Sequence, residues 1–176
     1  IHQEDFCQAS NILSAYKYQA EGGVDFKRCI DILKRTTRPA VSIKQFVELM
    51  IFNYLIGNND AHGKNFSILH YDNDQIAFAP AYDILCTSIY PELSSKMAMK
   101  IGGYYERDKI YPRHFERMAK DIGISYTQVK KILINQCEIL PDVVTEVSQM
   151  FENTIGKEIF KTVLKNCTRN LKNFNE

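Results

Sequence analysis

Asn58-Asn59-Asp60-Ala61-His62-Gly63-Lys64-Asn65 places an acid, an imidazole, an ammonium and three amides in one polar loop between two strongly apolar segments. A scaffold that holds such a loop rigid offers a proton acceptor in Asp60 and oxygen donors in the amides. The same residues also suit an ordinary polar turn, in which Asn and Asp satisfy nearby backbone groups. Asp83 shifts the balance toward chemistry. It lies in the apolar-flanked run Ala81-Tyr82-Asp83-Ile84-Leu85, which reads as buried, and an ionised carboxylate there needs a partner or a metal.

Spacing turns this into a specific expectation. Asp60 and Asn65 are five positions apart, the separation in the D-x-x-x-x-N catalytic loop of protein kinases, where a second, metal-binding acid follows. Phosphoryl transfer needs a base beside the attacking hydroxyl and hard oxygen ligands for magnesium, roles that suit Asp60, Asn65 and Asp83. Lys64 could neutralise charge on the transferred group. A different chemistry, metal-dependent hydrolysis, would use Asp60-x-His62 and Asp83 on a transition metal. His2, His70 and His114 lie in unrelated segments and add nothing to it.

The stretch Phe52-Asn53-Tyr54-Leu55-Ile56-Gly57-Asn58-Asn59-Asp60-Ala61-His62-Gly63-Lys64-Asn65-Phe66-Ser67 resembles the signature of the HipA-like serine/threonine kinases, the toxin half of bacterial toxin–antitoxin pairs. His2-Gln3-Glu4-Asp5-Phe6-Cys7-Gln8, Ala79-Pro80-Ala81-Tyr82-Asp83-Ile84-Leu85 and Ala98-Met99-Lys100-Ile101-Gly102-Gly103 follow in that family's order. The resemblance implies ATP and magnesium as cofactors, Asp60 as catalytic base, and Asn65 and Asp83 as magnesium ligands near the phosphates. His62 and Lys64 match the same loop, His62 as a residue that shapes it. A protein substrate and an antitoxin partner are implied as well. The family also has an N-terminal lobe with a phosphate-covering loop, a regulatory serine and a nucleotide-binding lysine. Neither Gly22-Gly23 nor Gly102-Gly103 fits G-x-G-x-x-G, so residues 1–176 are expected to be the C-terminal lobe, with little kinase activity by themselves. The alternatives are a non-catalytic module that docks an antitoxin or a separate N-lobe chain, and a small-molecule kinase of the aminoglycoside- or choline-kinase type.

The elements that must position this loop read as mainly α-helical, with one small β-hairpin beside it. Helical spacing runs from Glu4 to Tyr18 and stops at Gly22-Gly23. The clearest helix begins at a Ser42/Gln45 capping box, carries Phe46, Val47, Met50, Ile51, Tyr54 and Leu55, and ends at Gly57. Phe66 to Tyr71 and Gln75 to Ala79 form the hairpin around Asp72-Asn73-Asp74, and Tyr90 to Gly103 is less regular. Further helices open at Pro112, with Phe115, Met118, Ala119 and Ile122 inward, at the Ser125/Gln128 pair, and at Pro141, with Val143, Val144, Val147, Met150 and Phe151 inward. A terminal helix spans Lys157 to Phe174.

Composition bounds the rest. The 176 residues carry 22 Lys+Arg against 21 Asp+Glu, with 45% hydrophobic and 24% charged residues, which fits one ordinary folded domain and excludes disorder or a fibrous repeat. A net charge of +1 argues against wrapping nucleic acid by bulk electrostatics. No apolar run approaches the roughly 18 residues of a membrane span, and no signal-peptide pattern is read at the start. Five scattered cysteines without CxxC spacing read as buried thiols in a reducing compartment, the cytoplasm.

Overall fold

A computed structural model describes residues 1–150 and 154–175. Its elements in chain order are β1 (His2–Asp5), α1 (Phe26–Leu33), α2 (Pro39–Ile56), β2 (Ser67–His70), β3 (Ile76–Phe78), β4 (Lys96–Ile101), β5 (Tyr104–Glu106), α3 (Pro112–Ile122), α4 (Tyr126–Met150) and α5 (Thr154–Asn175). The mainly α architecture matches the expectation. The sheet arrangement is richer than one hairpin.

Helix α2 is the centre of the packing. Its C-terminal half is apolar on nearly every side, and Phe46, Val47, Met50, Ile51, Tyr54 and Leu55 are all buried, the pattern of a helix surrounded by other elements. Helices α1, α4 and α5 pack against it. It starts one turn before the expected Ser42 because Pro39 is preset for the first turn, where its missing N–H costs nothing. Ser42 is therefore inside the helix; its amide bonds to the Arg38 carbonyl and its hydroxyl accepts from Thr36 Oγ1 at 3.0 Å.

The expected hairpin is β2–β3, but β1 pairs antiparallel with β2 to make a three-stranded sheet, with Asp5 opposite Ser67 and His2 opposite His70. The helix expected over Glu4 to Tyr18 is thus a strand followed by two short 3-10 turns. Asp5 and Gln8 exchange backbone and side-chain bonds at 2.9 Å, local partners that compete with a helical ladder. An aromatic cluster bonds this sheet to α2. Phe46 packs against Phe6, Phe66, Phe78 and Phe26 with ring centroids 5.1–6.1 Å apart, and Phe6, Phe46 and Phe66 are almost wholly buried. Each such ring contributes about 1.5–3 kcal/mol by leaving water.

The segment read as irregular after Tyr90 holds a second hairpin, β4–β5, turned by Gly102 and Gly103 at φ 56° and 97°. Two successive positive-φ residues make the tight turn that suits strand twist, so glycine is needed there.

Helix α3 begins at Pro112 and buries Phe115, Met118, Ala119 and Ile122 as expected. Helix α4 does not stop for Pro141; it runs through it and packs along α5. The proline removes one intrahelical bond, while Thr145 Oγ1 bonds back to the Pro141 carbonyl at 2.6 Å and Cys137 and Leu140 stay buried against the core. Consequently Val143, Val147 and Met150 are exposed rather than inward; Phe151 lies outside the described residues. Helix α5 begins at Thr154, a turn before the expected Lys157. All five cysteines are free and buried. Among the described residues no helix is long and apolar enough to cross a membrane.

Gly57 closes α2 at φ 83°, and a Cβ there would collide with Ser88 Oγ and come within 2.9 Å of Arg107 Nη1. Gly123 closes α3 at φ 70° with nothing within 4 Å of its Cβ position. Gly123→Ala should therefore cost only the left-handed penalty of about 1–2 kcal/mol. Gly57→Ala should cost about 2 kcal/mol more, because the half-buried Ser88 and Arg107 side chains must move. Urea unfolding of the two variants measures the difference; equal losses would show that Ser88 and Arg107 give way freely.

Candidate active site

The polar loop starts where α2 ends. A helix terminus inside a protein leaves carbonyls without partners, and here the loop and α5 provide them. The Asn53 carbonyl accepts from the amides of Gly57 and Asn58, while Asn58 Nδ2 donates to Asn53 Oδ1 at 2.9 Å. Asn166 of α5 donates to the Leu55 carbonyl at 2.9 Å. Asn59 is then held from three sides. Its amide donates to Thr87 Oγ1 at 2.8 Å, its carbonyl accepts from the Ala98 amide of β4 at 2.8 Å, and its side chain bonds to the Ser94 carbonyl and to Arg107 Nη1. Asp60 follows directly, so the backbone that presents it is anchored to the second hairpin as well as to the core helix.

Asn65 and Asp83 meet. Asn65 Nδ2 donates to Asp83 Oδ2, and Asn65 Oδ1 accepts from the His62 amide at 3.0 Å. The His62 amide also bonds to the Asp60 carbonyl at 2.8 Å, which links the three into one turn. Asp83 is exposed, contrary to the burial that its apolar flanks suggested; Ile84 packs on the core while the acid faces outward. Its backbone sits at φ 55°, a left-handed conformation that Asp tolerates better than most residues but that still costs energy. Tyr82, just before it, donates to the Lys64 carbonyl at 2.6 Å and shares a 2.5 Å bond with Ser67 Oγ, tying this segment to the loop and to β2. Lys64 is half-buried, and its ammonium makes no ion pair among the described residues.

His62 is buried, with its ring edge-on to Tyr18 at 5.3 Å. Burial, and then the charge of Lys17, push its pKa down against the opposing pull of Asp60 and Asp83. It is thus kept neutral, a packing and loop-shaping residue rather than a cation. Its Nδ1 is buried without a partner.

Tyr18 is the residue that spacing alone did not reveal. Its hydroxyl donates to Asp60 Oδ1 at 2.6 Å from 42 positions away in sequence. That bond, with burial and the negative charges of Asp60 and Glu21 adding to it, raises the Tyr18 pKa to about 12. Tyr18 and Asp60 together line a cleft of about 490 Å³, whose wall continues through Asn59, Leu93, Met97 and Tyr105. The other contributors missed are Tyr82, Thr87 and Arg107. Tyr82 stands beside the marked acid and was the most accessible of them, whereas nothing local distinguishes Thr87 or Arg107 from surface residues.

The donors available to a metal are oxygens. Among the described residues no group of three or more His, Cys, Asp and Glu side chains could share an ion; Asn65 and Asp83, which are hydrogen-bonded to each other, are the oxygen-bearing pair that could contribute to one. Hard oxygens of this kind, few in number, suit magnesium, which keeps water and phosphate oxygens as its remaining ligands. They do not suit a zinc centre.

A family model described as the HipA-like C-terminal domain matches residues 1–144. The chain is 42% identical over 148 residues to the Sinorhizobium fredii protein named "Putative kinase Y4mE", covering 84% of this chain and 35% of that one. It is 24% identical over 160 residues to the serine/threonine-protein kinase toxin HipA of Shewanella oneidensis, covering 85% and 37%. It therefore spans little more than a third of either relative. Among solved structures, that of the Shewanella oneidensis toxin–antitoxin system of HipA, HipB and operator DNA superposes with a TM-score of 0.93 at 23% identity, over 99% of this chain and 45% of that one. The Helicobacter pylori proinflammatory kinase CtkA matches with a TM-score of 0.53 at 14% identity, over 98% and 70%. The match through 144 of 176 residues, which takes in the Asp60 loop and Asp83, places the chain in the HipA-like C-terminal domain family.

Proposed function

We propose that residues 1–176 act as the C-terminal lobe of a serine/threonine protein kinase that transfers the γ-phosphate of ATP to a protein hydroxyl. The observation that carries this reading is the hydrogen bond between Asn65 and Asp83, which joins two oxygen-bearing side chains across the β2–β3 hairpin on the loop that also presents Asp60. The names of the relatives support the reaction class, and the HipB partner of the Shewanella structure supports an antitoxin as a binding partner here.

In this reading Asp60 is the base. Tyr18 occupies Oδ1, which fixes the carboxylate plane and leaves Oδ2 to accept the proton of a serine or threonine hydroxyl entering the cleft. Asn65 and Asp83 would hold magnesium, which supplies charge neutralisation on the phosphates. The Asn65 amide directs Nδ2 at Asp83 and its oxygen at the His62 amide, so holding an ion together with Asp83 would require the amide to turn its oxygen toward that acid. His62 keeps the turn in shape as a neutral ring. Lys64, unpaired by any acid among the described residues, is available to a phosphate oxygen. The phosphate-covering loop and nucleotide lysine of such enzymes would come from an N-terminal lobe, without which activity is expected to be low.

Three variants test this. In the complete gene product, Asp60→Asn should lower transfer from radiolabelled ATP to protein by about a hundredfold or more with the fold intact by circular dichroism. Asp83→Asn should abolish transfer at the magnesium concentration that saturates the wild type, and unchanged turnover in either variant would refute the assignment. Tyr18→Phe should lower kcat by roughly tenfold while leaving the KM for ATP unaltered, since it removes one hydrogen bond to the base and touches no nucleotide ligand. The Tyr18 phenol, read as the difference in ultraviolet titration between wild type and Tyr18→Phe, should ionise near 12 rather than 10. Because the folded pKa is the higher one, the bond's contribution to stability is complete below pH 10 and is lost as the pH rises through about 12.

A further inference from the structure

A second cavity, of about 290 Å³, shares Asn59, Leu93 and Ser94 with the Asp60 cleft but has a different chemistry. Ser88, Ser94, Ser95 and Thr162 bring hydroxyls to its wall, and Arg107 and Lys165 bring positive charge. Arg107 is the unusual member. One arm, Nη1, donates to Asn59 Oδ1 at 3.2 Å, while Nε is buried without an acceptor. Among the described residues neither Arg107 nor Lys165 forms an ion pair. The carboxylate on this wall, Asp108, is taken by Arg169 Nη1 at 2.7 Å, and the other arm of Arg169 goes to Tyr54 Oη and the Arg107 carbonyl.

Two cations therefore line a polar cavity whose one acid, Asp108, is paired with Arg169 and acts on Arg107 only through its charge. Taking a guanidinium out of water is costly, and burial lowers the pKa of Arg107 against the partial offset of the Asp108 charge. What the site lacks is an acceptor with negative charge and several oxygens. The planar guanidinium fork, the ammonium and the hydroxyls are all donors, a set that matches a phosphate dianion with its three free oxygens.

We propose that the Arg107–Lys165 cavity binds a phosphate dianion, carried by a phosphorylated side chain or present as free phosphate. The ligand would lie one hydrogen bond from Asn59, the residue before Asp60, so its binding would stiffen the loop that presents the acid. This site does not depend on the kinase reading, because its donors are all outside Asp60, Asn65 and Asp83.

The test is calorimetric titration of the complete gene product with inorganic phosphate, with a phosphoserine peptide and with the same peptide unphosphorylated. Saturable binding of inorganic phosphate alone assigns a free ion, binding of the phosphopeptide alone assigns a modified side chain, and either supports the site when variants weaken it. Lys165→Ala, at an exposed position that leaves the fold undisturbed, should weaken binding several-fold, and Arg107→Lys, which keeps the charge but loses the fork, by roughly tenfold. No saturable binding of either phosphate probe, or affinities unchanged in both variants, would overturn the proposal.

Discussion

A hydrophobic helix that ends inside a protein must hand its last carbonyls to something other than water, and the architecture around Asp60 follows from that requirement. The C-terminal half of α2 is surrounded by apolar neighbours, so the carbonyls of Asn53 and Leu55 cannot be hydrated. Gly57 in a left-handed conformation, the Asn58 amide and the Asn166 side chain satisfy them. Once those bonds are made, the chain has little choice of exit direction, and Asn59 is delivered to Thr87, Ala98, Ser94 and Arg107. The polar loop is rigid because the apolar helix behind it is buried.

The sheet serves the same end from the other side. The aromatic cluster around Phe46 holds β1, β2 and β3 against α2, and β2 begins right after Asn65. The hairpin then returns the chain to Tyr82 and Asp83, where Tyr82 is bonded to both Ser67 and Lys64. Asp83 stands exposed with a left-handed backbone. Strain of this kind persists when neighbours over-determine it, and it gathers at sites whose groups must be aimed rather than relaxed. The Asn65–Asp83 bond gives the strained residue a partner and gives the amide its orientation.

Parts of this were legible from the residues. The stripe from Phe46 to Leu55 identified the core helix, Gly57 its end, Pro112 the start of α3, and Asp72-Asn73-Asp74 a hairpin, because each is a local preference that the tertiary structure did not oppose. The local pattern is overridden where a distant partner outweighs it. Glu4 and Asp5 sit at helical spacing with later apolar residues, yet the edge of β2 offers them ladder bonds, and Leu13 and Tyr16 are left exposed. Pro141 looked like a helix start, but packing of α4 along α5 outweighs the one bond it forfeits. Asp83 looked buried because its neighbours are apolar, and the reversal of the chain at φ 55° turned it outward.

Residue type and order alone determined that this is a largely helical domain with an acid–amide loop on the end of its core helix and a second acid beyond a hairpin. Those features are local: helical period, turn chemistry and fixed spacing within one continuous segment. The tertiary structure decided which atoms face one another. It brought Tyr18 to Asp60 across 42 positions, set Asp83 against Asn65, and placed Arg107 behind Asn59. Such pairings depend on how α2, the two hairpins and α5 stack. Stacking is driven by non-directional burial of apolar surface, which leaves no mark on the spacing of the polar residues it brings together.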